Sequence, residues 1–170
     1  MPEERTRARA RKDKAQGKSA STQAGEFVRE EIEHVREGKH GARSSKQAIA
    51  IGLSKARRAG VALAPPKAST TSEQTRKSAE RDSARGKADP DRAPSPRRSR
   101  ATRKALEREG TAAATPTALS RQAQRAAASR SPAARAASAR TAAVSKGPVR
   151  RKAAARKAAK TRQRKRSAHT

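Results

Sequence analysis

Nearly every bulky apolar side chain of this chain falls in one short window: Phe27, Val28, Ile32, Val35, Ile49, Ile51, Leu53, Val61 and Leu63. Folding needs such residues clustered, because burying each one contributes about 1.5–3 kcal/mol against the entropy of ordering the backbone. After Met1, only Leu106, Leu119, Val144 and Val149 stand outside the window. The pattern predicts a mostly disordered chain with a small all-α helical hairpin near the N-terminus. Three segments are expected: a disordered basic arm over 1–21, a two-helix hairpin over 22–66 and a disordered Arg/Lys/Ala-rich tail over 67–170.

Inside the window, Ala24, Val28, Ile32 and Val35 recur at the spacing of one helical face, with Phe27 beside them. Ser21 or Thr22 suits the N-cap, and Gly38 the left-handed position that ends the helix. Ser44 and Gln47 form a capping box that opens a second helix, which Gly60, Pro65 and Pro66 bring to an end. Ile49, Leu53 and Ala56 share one stripe of that helix. Ile51 projects to nearly the opposite side, so it is the residue expected to meet a second copy of the hairpin or another partner.

Charge points to the partner. Lys and Arg number 44 against 15 Asp and Glu, a net +29, and residues 67–170 carry 29 of these cations and 7 of the acids. The last acid is Glu109, so everything beyond it is purely basic, the pattern of an arm that binds nucleic acid. The expected function is non-specific electrostatic DNA binding with histone-like, nucleoid-associated compaction, in the cytoplasm. The cations expected to contact phosphate are Arg97, Arg98, Arg121, Arg125, Arg130, Arg135, Arg140, Arg150, Arg151, Lys152, Arg156, Lys157, Lys160, Arg162, Arg164, Lys165 and Arg166. Ser95-Pro96-Arg97-Arg98 resembles the Ser-Pro-basic-basic turn of linker-histone tails, which lays two cations along a minor groove. Two alternatives stand beside this reading: a polycation on RNA or ribosomes, and a hairpin adaptor for proteins that its basic tail merely localises.

Other function classes fit poorly. No Ser/His/Asp constellation emerges, the chain has no Cys, and no cofactor or small-molecule ligand is expected, so an enzyme is not. Gly17-Lys18-Ser19 copies the end of a phosphate-binding loop, but no strand precedes it. Glu30 and His34 lie one turn apart with Glu33, Glu37 and His40 nearby; they alternate around the helix, and no metal site is expected. A membrane role lacks any apolar anchor.

The run KQAIAIGLSKARRAG at 46–60, preceded by EFVREEIEHVREGKHGARSS and followed by VALAPP, resembles a small bacterial family of uncharacterised proteins that carries this core beside a basic or polar tail. That resemblance implies kinship and attaches no activity or ligand. The end of the chain, from KGPV through KAAARKAAKTRQRKR, is similar to the tails of linker histones and to bacterial histone-like proteins. It departs from linker histones in lacking their globular domain and in favouring Arg over Lys.

Overall fold

The computed structural model describes residues 2–167, the Lys165 side chain excepted, and 76 % of the described residues are helical. This corrects the expectation of a mostly disordered chain. The α-helices are α1 (Glu4–Ala15), α2 (Ala20–Arg36), α3 (Ser45–Arg58), α4 (Glu73–Ala88), α5 (Pro96–Glu107), α6 (Pro116–Ala128) and α7 (Pro132–Ser167), with 3₁₀ turns at Ala68–Thr70 and Ala112–Ala114. No strand occurs among the described residues. The chain divides into two units, Met1–Gln122 and Ala123–Thr170.

Why helices form without bulky residues is visible at their starts and in their composition. Alanine, the best helix former, fills α6 and α7. Pro96, Pro116 and Pro132 each stand first in a helix, where a missing N–H costs nothing and φ is already helical. The Ser72, Thr115 and Ser131 hydroxyls accept the N–H of Thr75, Ala118 and Ala134 at 3.3, 3.3 and 3.2 Å. The Ser-Pro and Thr-Pro pairs of the basic region are thus helix starts, Ser95-Pro96 included. Scarcity of large apolar side chains argues for disorder, but caps, prolines and alanine propensity order these helices locally without them.

In the first unit, α2 and α3 occupy the window of large apolar residues. Ser44 caps α3 through Gln47 N at 3.2 Å, and Gln47 Oε1 accepts the N–H of Arg43 at 2.8 Å. Ser19, rather than Ser21 or Thr22, caps α2, accepting from Thr22 N at 3.3 Å. Gly17-Lys18-Ser19 is therefore the turn between α1 and α2. Phe27 is buried with Ala10, Ala24, Ala56 and Val61. A second cluster joins Ile32, Val35, Ala42 and Ala48 to Ala113 and Ala114, with Leu119 packed against it.

Both clusters draw on segments expected to be unstructured. From the arm, α1 buries Thr6, Ala10 and Asp13; Arg9 Nε lies 2.6 Å from Glu26 and Lys18 Nζ 2.6 Å from Asp13. From the expected tail, the 112–114 turn wedges onto α2 and α3, where its carbonyls accept from Arg36 Nε (3.0 Å, Ala114 O) and from Ser45 Oγ (Ala113 O). Small side chains make these approaches feasible because helices can touch backbone to backbone. A Cβ at Gly52 would lie 2.7 Å from Val28 Cα, and one at Gly86 would lie 1.9 Å from Arg57 O. Burial lowers the pKa of Arg57, an effect that Asp82 partly opposes.

The second unit is helical for a different reason. Val144 and Val149 are 83 % and 79 % exposed, so apolar burial contributes little there. Gly147 breaks α7 with φ 68° and ψ 169°, and Pro148 restarts it. No helix of the described residues is long and apolar enough to cross a membrane.

Two outcomes follow. Gly52→Val should destabilise the first unit by about 1–3 kcal/mol, as overpacking does, seen as a lower midpoint in thermal melts followed by circular dichroism; an unchanged midpoint would exclude the close α2–α3 approach. The second concerns Glu3, whose carboxylate meets His34 Nε2 at 3.0 Å and Lys39 Nζ at 3.5 Å and whose pKa is thereby lowered below 4.5. A carboxylate with a depressed folded pKa adds stability that is present above its unfolded value and lost as pH falls through the folded one. Glu3→Gln should therefore flatten the loss of stability between about pH 5 and pH 3, measured by melts across that range; a slope equal to that of the parent would show that Glu3 contributes nothing.

Candidate functional site

Two cationic features stand out, one in each unit. In the first unit, Arg7 of α1, Lys55 and Arg58 of α3, Arg85 of α4, Arg92 of the α4–α5 link, and Arg98 and Arg103 of α5 line a cleft of about 440 Å³. Two carboxylates, Glu31 and Asp82, share its wall. Three of the arginines are held locally. Arg7 pairs with Asp91 and donates to Pro90 O at 3.2 Å, Arg85 donates to Ala93 O at 3.0 Å, and Arg58 Nε lies 3.7 Å from Asp82. Arg92, Arg98 and Arg103 are exposed. Hydroxyls of Ser95, Ser99 and Thr102 complete a lining suited to an anion that accepts several hydrogen bonds, such as a phosphate group.

The cleft was not legible along the chain. Its cations come from five segments, and no spacing in the sequence joins them. Of the binding residues expected from the sequence, Arg98 and Ile51 belong to it, beside Ser95 and His40; Ile51 is half-buried in the cleft wall.

The remaining expected phosphate contacts are spread along helices. Arg97 sits in the first turn of α5, and Arg121 and Arg125 lie on α6. Arg130 stands in the α6–α7 link, and Arg135, Arg140, Arg150, Arg151, Lys152, Arg156, Lys157, Lys160, Arg162, Arg164, Lys165 and Arg166 follow on α7. The backbone of Lys165 is helical, and its side chain lies outside the described residues. Two of these cations have structural work near the α6 end: Arg130 donates to Ala134 O at 3.1 Å and bonds Ser138 Oγ, and Arg135 donates to Arg130 O at 2.8 Å. From Arg150 to Arg166 the described Lys and Arg side chains are exposed and fall on every side of the helix.

Residues 11–68 are similar to a family of unknown function (DUF6496). The stretch runs from within α1 through α3 to the 68–70 turn, so the helices α4 to α7 lie outside it. No curated protein matches the chain, and neither does any solved structure.

An anion-accepting cleft has a direct signature. Inorganic pyrophosphate should raise the thermal midpoint of the full chain more than sodium chloride of equal ionic strength, and the double variant Arg98→Gln/Arg103→Gln should lose most of that difference. Equal effects of the two salts on the parent protein would rule out a specific anion site.

Proposed function

We propose that the protein binds double-stranded DNA by sequence-indifferent electrostatic contact through α7, and that enough copies compact the DNA. One observation carries the reading: the charge density of the helix after Gly147. Ten Lys and Arg stand between Arg150 and Arg166, with no acid among them. At about 1.5 Å per residue this stretch is roughly 25 Å long, one positive charge per ~2.5 Å. Duplex DNA carries one negative charge per ~1.7 Å of axis. The two charge spacings are similar in scale, and each phosphate neutralised releases condensed counterions.

The helical form sharpens the mode of contact. A helix fits the major groove, whose walls are lined by phosphates on both sides. Cations distributed all round the helix can then meet both strands. Arginine dominates, which favours bidentate phosphate bonds. No aromatic side chain is available for stacking on bases, since Phe27 is buried in the first unit. Little sequence preference is expected, and nucleoid association follows from this reading.

The test measures duplex binding by fluorescence anisotropy for the full chain and for a full-length variant with the ten cations of 150–166 changed to Gln, across about 50–400 mM salt. If about ten phosphates are engaged, the parent should show a slope near −9 in log affinity against log salt, and the variant a much shallower one. Equal slopes would overturn the assignment to α7. Competition with structured RNA separates the two polymers: an RNA preference would move the protein to ribosomal or other RNA.

A further inference from the structure

In a chain of net charge +29, the interior of the first unit holds a concentration of acids. Glu30 and Glu31 of α2 are 2 % and 0 % exposed, and Glu3 stands beside them, its backbone N–H donating to Glu30 Oε2 at 3.0 Å. Lys55 Nζ reaches both buried carboxylates, at 3.4 Å from Glu30 Oε1 and 2.6 Å from Glu31 Oε2. The second contact is an ion pair outside hydrogen-bond geometry, so neither oxygen of Glu31 accepts an aligned hydrogen bond. A buried carboxylate left in this way is costly unless a cation completes its shell.

Both described histidines converge on the same place. His34 follows Glu31 by three residues on α2, which sets the two side chains on one face. His40 arrives from the loop after Gly38, whose φ of 70° reverses the chain. That loop is pinned: Gly41 N donates to Leu106 O at 2.9 Å and Ala42 N to Gly110 O at 3.0 Å. Ligand atoms of Glu31, His34 and His40 all lie within 4.8 Å of one another.

We propose that Glu31, His34 and His40 bind a single divalent transition-metal ion of the zinc type. The spacing is the main argument. His40 Nδ1 is 3.1 Å from Gly41 O, where it donates, and Nε2 faces Glu31 Oε1 at 3.4 Å. That separation is too long for a charge-assisted hydrogen bond, which closes to about 2.7–2.9 Å. Two donors held at about 2.1 Å from a tetrahedral zinc are about 3.4 Å apart. Lys55 stays on the far oxygen of Glu31. Glu3, 3.0 Å from His34 Nε2, is placed to orient that ring, as carboxylates do behind metal-bound histidines. Two nitrogens and an oxygen, without sulfur, suit zinc and its neighbours over calcium or magnesium, which favour all-oxygen shells. Three protein ligands leave a fourth position for water or for a group entering from the cleft, whose wall includes Glu31 and His40.

The probe is Co²⁺, titrated into the untagged full chain without nucleic acid. One equivalent should give the intense visible absorption of a four-coordinate ion, and Zn²⁺ should displace it. His40→Gln should weaken binding by more than the roughly 10–100-fold expected for an outer-shell partner, while Glu3→Gln should fall within that range. Circular dichroism checks that each variant keeps its helices. If His40→Gln does not, His34→Gln takes its place with the same expectation. Only the weak absorption of hydrated cobalt, or equal affinity in the folded histidine variant, would overturn the site.

Discussion

Helix α3 can be where it is because two glycines let backbones touch. Gly52 brings α3 against the Val28 backbone of α2, and Gly86 brings α4 against the Arg57 carbonyl at its other flank. Each contact is closed to any side chain, so the three helices fit at one spacing only. Dispersion between close backbones then replaces much of what large side chains supply in an ordinary core. Phe27, Ile32 and Val35 fill what space remains, and alanines at 10, 24, 48, 56, 113 and 114 cover them.

That thin packing explains the placement of charge. Acids are concentrated where α1, α2 and α3 meet: Glu26 with Arg9, Glu30 and Glu31 with Lys55, and Glu3 with His34 and Lys39. Each draws a basic segment inward and offsets the repulsion that a strongly positive chain places on its compact state. Lys39 itself has a raised pKa, chiefly through its hydrogen bond to Glu37 and further through Glu3. Beyond Glu109 the sequence holds no acid to play that part.

Several features were legible along the chain. The i, i+4 recurrence of Val28 and Ile32 marked α2, Gln47 at its spacing from Ser44 marked the start of α3, and Gly38 marked the reversal before His40. Others were not. α1 buries only small or polar residues, so no apolar stripe announces it, and the 112–114 turn packs through two alanines that look like any others in an alanine-rich region. Glu31 is the clearest omission: its neighbour Glu30 stands one turn before His34 and drew the pairing, whereas the loop geometry brings His40 to Glu31.

The sequence by itself determined the charge asymmetry, the position of the large apolar residues and the helix boundaries set by Ser, Thr, Pro and Gly, because these depend on composition and on interactions within a few residues. Only the tertiary structure decided that α4 packs on α3 and the 112–114 turn on both α2 and α3, that seven cations from five segments share a cleft, and that one carboxylate and two imidazoles meet. Those outcomes depend on how closely backbones approach, and an alanine or glycine in a sequence does not say which helix it will touch.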